Sequence, residues 1–201
     1  MTLRMLPLIG IVLLAVIACG LRPLLQWSRT GRFGLIVLRS NSRTQNIRDA
    51  LGILAFGLLI WQAYEAAFRP SLVTPWIEPL ALQAAGAAIL FGGLALLVVA
   101  QLDLGNSWRI GIEQDARPGL VTGGLYRFCR HPIFLGLLAI LVGYALMLPT
   151  TLSLVVLVGG FIGVRQQVAA EEAYLARSYG AEYRDYARRV GRFLPSLGRA
   201  S

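Results

Sequence analysis

The chain has 201 residues, of which 56% are hydrophobic and 14% charged, with a formal net charge of +9. A soluble domain carries about a quarter charged residues, so this composition excludes an ordinary soluble enzyme and indicates a polytopic membrane protein. Strand–helix alternation and a GxGxxG turn are both missing, which excludes a Rossmann-type nucleotide fold.

All 19 basic residues are arginine. They cluster beside apolar runs, where they set topology and touch anionic headgroups, so no nucleic-acid partner is expected. The two cysteines, Cys19 in the first apolar run and Cys129 in a polar loop, give no reason to expect a disulfide. Cys129 reads as a small half-buried filler rather than a nucleophile. One histidine with two distant cysteines argues against zinc, and no metal is expected.

Met5–Leu25 is the first apolar run, preceded by Arg4. It has the length of a signal peptide but lacks a small-residue cleavage site, so it reads as a retained span. Residues 26–49 are polar and basic; within them Phe33–Leu38 is an apolar patch too short to cross, expected on the membrane surface. Ala50–Phe68 is the second span, with Glu65 at its interfacial end. Pro70, Pro75 and Pro79 predict a rigid, non-helical connection with Trp76 at headgroup level.

Leu80–Leu102 is the third span, and Ala88 and Gly92, four apart, predict its close-packed face. A polar loop, Asp103–His131, leads to the fourth span, Pro132–Leu148. Pro149–Ser153 is an uncharged turn into a short fifth span, Leu154–Val164, whose Gly159, Gly160 and Gly163 predict another packed face. From Arg165 onward the chain is polar and the spans are over.

The fold class is therefore all-α integral membrane with about five transmembrane helices. Residues 1–103 form an N-terminal three-span part and 104–201 a loop, a helical hairpin and a tail. Arginines crowd the loops after the first and third spans and the tail. That alternation predicts an N-terminus outside and a C-terminus in the cytosol, in a plasma membrane such as a bacterial inner membrane. It puts the third loop and the tail on one side.

Two stretches on that side carry the chemistry. LVTGGLYRFCRHPIFLG, Leu120–Gly136, holds the lone histidine, His131, before a proline that can open a helix. By residue type alone His131 reads as a cap of the fourth span. In the tail, Val168, Glu172, Leu175 and Tyr179 share one helical face. A carboxylate on an apolar face is either paired with an arginine or functional. Gly180 is expected to break this helix.

The pattern LVTxGxYxxxRHPxxxG, Leu120 to Gly136, resembles the signature of the isoprenylcysteine carboxyl methyltransferases. The tail pattern EExxLxxxYGxxYxxYxxxV, Glu171 to Val190, followed by Leu194-Pro195, is similar to the C-terminal signature of that family. Phospholipid N-methyltransferases share a weaker version of both. The resemblance covers Leu104–Leu197, including LGNSW at Leu104–Trp108. It implies a helical membrane enzyme whose C-terminal half encloses S-adenosylmethionine on the cytosolic side. It implies that Tyr126, Arg130, His131, Pro132, Gly136, Glu171, Glu172 and Tyr183 belong to the cofactor pocket. It also implies that Arg189 lies near the methyl acceptor; Arg189 and Glu172 are the two catalytic candidates. Phe134 stands where the family commonly has tyrosine.

Methyl transfer from a sulfonium needs proximity and alignment. A carboxylate acceptor needs only an orienting cation such as Arg189, whereas an amine or thiol needs a base such as Glu172 or His131. The expected partners are the bilayer and a lipophilic or lipidated acceptor, of which a prenylcysteine carboxylate is one form. The alternatives are a phospholipid or small thiol or amine methyltransferase, an NADPH-dependent sterol-type reductase, and a non-enzymatic membrane scaffold.

Overall fold

The computed structural model describes residues 3–31, 37–38, 42–105 and 119–195, and these are almost entirely helical. The patch at Phe33–Leu38 and the LGNSW stretch lie mostly outside the described residues. Helix α1 (Leu6–Ala15), a π-helical stretch (Val16–Leu21) and α2 (Arg22–Thr30) run on as one apolar rod, Leu3–Ser28. The wider π turn sits where the Pro23 ring would otherwise meet the carbonyl one turn earlier.

Helix α3 (Arg43–Phe68) starts before the apolar run because Ser42 caps it, accepting from the Gln45 amide at 3.4 Å. Near its end Glu65 is buried, with the Arg69 guanidinium 3.8 Å away. A short 3₁₀ turn, Pro70–Leu72, interrupts the proline-rich connection that was expected to be non-helical throughout. Helix α4 (Leu80–Asp103) begins after Pro79, α5 (Pro132–Met147) at Pro132, and α6 (Thr151–Arg189) after Thr150, whose hydroxyl caps the Ser153 amide at 3.2 Å. Among the described residues, four helices are long and apolar enough to cross a membrane, and α5 is a shorter apolar helix.

The fifth span does not end at Val164. Helix α6 continues as 39 residues, interrupted by non-helical geometry at Gly180 (φ 54°, ψ −119°), the break expected there. A drop in hydropathy does not by itself stop a helix, and no Pro or Gly that could break it occurs between Val164 and Gly180. At about 1.5 Å per residue the stretch of α6 before Gly180 is roughly 43 Å long, against a hydrocarbon core of roughly 30 Å. Its second half, beyond about Ala170, therefore stands outside the membrane.

The tightest seam joins α4 and α5. Cβ atoms added at Gly86 and Gly93 would fall 2.8 Å from the Gly143 and Gly136 carbonyl oxygens. Reciprocally, a Cβ at Gly136 would lie 2.8 Å from the Gly93 oxygen, and one at Gly143 2.5 Å from the Gly86 oxygen. Two antiparallel helices thus meet backbone to backbone at glycines seven residues apart. This corrects the expected face: Ala88 and Gly92 are exposed, and a Cβ at Gly92 would meet nothing. Of the α6 glycines only Gly160 is packed, against Leu141; Gly159 and Gly163 face open space. Gly143→Ala is expected to destabilise by about 1–3 kcal/mol through overpacking. It should appear as a lower unfolding temperature in detergent, with Gly92→Ala as the unaffected control.

The main core includes Ile11, Leu59, Leu90, Leu94, Ile140 and Met147 from α1, α3, α4 and α5. Beside it a buried polar network ties three helices. Tyr144 donates to the Leu59 carbonyl at 2.8 Å, and Ser153 donates to Gln62 Oε1 at 3.0 Å. Gln62 Nε2 in turn donates to Thr150 Oγ1 at 2.5 Å. A second small core, of Tyr183, Tyr186, Ala187 and Val190, forms where α6 has left the bilayer.

Candidate active site

The site is built where the entry to α5 meets the end of α6. A 3₁₀ turn, Gly124–Arg127, leads through Cys129 into Arg130 and His131. After Val190 the chain leaves helical geometry and runs beside this entry. The Arg130 amide donates to Gly191 O at 2.9 Å and the His131 amide to Arg192 O at 3.1 Å. Pro132 follows, lacks an N–H and so opens α5 instead of prolonging the pairing. This short extended contact brings the two sequence motifs together.

Glu172 lies at the centre. Arg130 donates to its Oε1 through Nη2 at 2.8 Å and Nε at 3.3 Å. His131 Nε2 donates to the same oxygen at 3.2 Å. Arg192 adds Nε to Oε1 at 3.1 Å and Nη2 to Oε2 at 2.5 Å. Burial alone would raise the Glu172 carboxyl, but the hydrogen bonds from His131, Arg192 and Arg130 outweigh it and hold the group well below the usual carboxylate range. Glu171 approaches from the other side, its Oε2 3.8 Å from His131 Nδ1.

Arg130 is doubly anchored. Its side chain is 3% exposed, and Nη1 donates to the carbonyls of Ala187, at 2.9 Å, and Val190. It therefore caps the end of α6 as well as neutralising Glu172. His131 occupies the N-cap position of α5, but its ring makes no capping bond and turns to the acidic pair instead. Phe134 and Phe193 flank the imidazole, with ring centroids 6.0 and 6.2 Å away.

Tyr183 is buried beside this cluster and its hydroxyl makes no well-formed hydrogen bond. Burial, reinforced by the charge on Glu172, pushes it up to about 12 despite the opposing Arg130 charge. Tyr126 is also buried; its carbonyl accepts from the Tyr186 hydroxyl at 2.6 Å, and burial with the Glu171 charge raises its own hydroxyl far above the usual value. Cys129 is buried with its Sγ 3.5 Å from the Arg192 carbonyl, and burial pushes its thiol up.

The structure thus brings together Tyr126, Arg130, His131, Pro132, Glu171, Glu172 and Tyr183. It places two expected residues elsewhere. Gly136 packs on Gly93 and Leu97, inside the α4–α5 seam. Arg189 is exposed on α6 and donates through Nε to the Asp185 carbonyl at 3.2 Å. The arginine that reaches the acidic pair from the tail is Arg192, 42% exposed at its side chain. Sequence reasoning missed it because helical phase cannot be carried past Gly180, and only an extended segment after Val190 returns Arg192 to the site. The sequence signal was present: Val190-Gly191 breaks the helix three residues before Leu194-Pro195.

A sequence model described as "Phospholipid methyltransferase" matches residues 82–182 of this chain. Protein-S-isoprenylcysteine O-methyltransferase A of Arabidopsis thaliana is 33% identical over 115 residues, covering 51% of this chain and 57% of that protein. The protein-S-isoprenylcysteine O-methyltransferase of Rattus norvegicus is 34% identical over 121 residues, covering 58% of this chain and 42% of that one. A probable protein-S-isoprenylcysteine O-methyltransferase of Oryza sativa subsp. indica is 31% identical over 138 residues, covering 66% and 69%. The chain thus spans about half the length of the first two. Among solved structures, the eukaryotic intramembrane Ras methyltransferase ICMT (isoprenylcysteine carboxyl methyltransferase) without a monobody superposes with a TM-score of 0.54 at 21% identity, covering 81% of this chain and 56% of that one. That likeness concerns the fold.

Proposed function

Since the chain belongs to the phospholipid methyltransferase family, among the relatives of the isoprenylcysteine carboxyl methyltransferases, we propose that it is an integral-membrane methyltransferase that uses S-adenosylmethionine. Its acceptor is a lipophilic molecule drawn from the bilayer, of the prenylcysteine carboxylate type. The observation that carries this reading is the convergence of Arg130, His131 and Arg192 on Glu172, which joins the RHP and EE motifs into one site.

The donor set fits the cofactor. A methionyl group presents an ammonium and a carboxylate, and a half-exposed Glu171 and the Arg192 guanidinium are complementary to them. The buried Tyr183 hydroxyl has hydrogen-bonding capacity to offer. The aromatic faces of Phe134 and Phe193 suit a sulfonium. When bound, the cofactor supplies an electrophilic methyl group. The chain's own part is to hold both reactants in line and keep water away.

The state of Glu172 and His131 favours one acceptor class. Glu172 and His131, to which an amine acceptor would turn for a base, are engaged with each other. Glu172 is also held in its ionised form, which makes it a poor base. A carboxylate acceptor loses no proton and needs only orientation, which favours it over an amine. The arginine alternation supports a cytosolic site.

Calorimetry on detergent-purified protein tests the reading. S-adenosylmethionine and its demethylated product should bind in the micromolar range or tighter, about −8 kcal/mol. Binding of NADPH in their place would overturn it. A radiolabelled methyl-transfer screen should give product with a prenylcysteine and not with phosphatidylethanolamine or small thiols.

A further inference from the structure

The donor reading uses residues of the C-terminal motifs, yet the turn that presents them is held by a residue outside those motifs. We infer that Asp103 is a positioning residue for the donor site. From the end of α4 it caps the 3₁₀ turn that carries Tyr126 and leads to Arg130 and His131. This inference rests on the methyltransferase reading above.

A helical turn begins with amides that have no partner within it. In Gly124–Arg127 the N-cap residue is Gly123, which has no side chain to supply an acceptor. The acceptor comes from 22 positions upstream: the Leu125 amide donates to Asp103 Oδ2 at 2.7 Å. The carboxylate also suits the positive end of the turn's dipole. Gly124 is fitted to it. Its φ is +57°, where side chains are disfavoured, and a Cβ there would fall on the Asp103 carboxylate well inside van der Waals contact.

Asp103 is itself held in place. Carboxylates are unfavourable at a helix C-terminus, and Asp103 is the last residue of α4. The buried Arg22 of α2 offsets this by donating through Nη2 to the carbonyls of Gln101, at 2.8 Å, and Gly105, at 2.6 Å, which bracket Asp103. From Asp103 onward the register is continuous. Tyr126 N–H donates to Gly123 O at 3.0 Å, Cys129 N–H to Leu125 O at 3.2 Å, and Arg130 N–H to Gly191 O at 2.9 Å. The N-terminal half thus reaches the donor site through Arg22, the α4 terminus and Asp103.

The test uses the full chain in detergent or nanodiscs, with Asp103→Ala and Asp103→Asn. Loss of one charge-assisted hydrogen bond corresponds to about a tenfold rise in the donor KM and in the Kd for S-adenosylhomocysteine in Asp103→Ala. Its kcat should stay within about twofold, because donor binding rather than acceptor orientation is affected. Asp103→Asn keeps an oxygen that accepts the Leu125 amide and should recover to within about threefold of the parent, as a neutral cap does. Hydrogen exchange across residues 123–131 should rise in the alanine variant alone, with 151–164 unchanged. Unaltered exchange there, unaltered product binding, or equal damage from Ala and Asn would each overturn the proposal. An unsubstituted protein that binds neither donor nor product would remove the methyltransferase reading. The exchange measurement would then still decide whether Asp103 holds the turn.

Discussion

Glu172→Gln is expected to weaken binding of S-adenosylhomocysteine and to slow methyl transfer, each at least about a hundredfold, equivalent to roughly 2.7 kcal/mol. The amide keeps the shape of the carboxylate but not its charge, and its NH₂ group presents donors to donors. Arg130, His131 and Arg192 would then face one another around a neutral group. Removing one partner of a buried ion pair costs about 3–5 kcal/mol. Arg192 is 42% exposed, so its share is screened by solvent and the cost falls toward the lower figure. Glu172→Asp, one methylene shorter, should lie between parent and Gln.

The same substitution has a pH signature. A carboxyl depressed in the folded state contributes stability that is fully present above its unfolded value, about 4.3. That contribution is lost only as pH falls through the lower folded value. The unfolding temperature of the parent should therefore show no dependence on Glu172 between about pH 6 and 8 and should fall on the acid side. In Glu172→Gln this group's acid-side loss is gone, so the curve starts lower and is flatter. An equally steep acid limb in both proteins would show that Glu172 is not the group responsible.

Arg130→Lys is expected to be nearly as damaging, although charge is conserved. The guanidinium reaches Glu172 with Nε and Nη2 while Nη1 serves the Ala187 and Val190 carbonyls. An ammonium is a single point on a flexible stem and cannot span both sets. The carbonyls or Glu172 would be left buried without a partner, at about 1–3 kcal/mol for each polar group so orphaned. The expected result is release of the segment after Gly180, seen as a new limited-proteolysis site there, together with loss of product binding. The α4–α5 core contains none of these groups and should keep its unfolding temperature. Retained product binding in Arg130→Lys would mean that the two carbonyl bonds contribute nothing to the site.

Much of this was legible in sequence for identifiable reasons. Span positions follow from apolar run length, and α4 and α5 end within a residue of their expected limits. The pairing of Glu172 with an arginine was one of two readings of an acid on an apolar helical face. What escaped had equally physical causes. Helix α4 is apolar nearly all round, so no polar stripe gives its phase, and Ala88-Gly92 was as plausible a face as Gly86-Gly93. Arg192 lies beyond the helix that fixed the phase of Glu172. Asp103 stood as the first residue of a polar loop in the sequence, and nothing there linked it to Leu125, 22 positions later.

The glycine seam between α4 and α5 has a mechanical consequence. At Gly86–Gly143 and Gly93–Gly136 backbone lies directly against backbone, with the side chains of Leu90, Leu97 and Met147 packed beside the contact. The two helices therefore behave as a single stiff strut, and parting them would sacrifice contacts along two full turns of each. For the lipophilic acceptor proposed above, this seam would offer no lateral doorway.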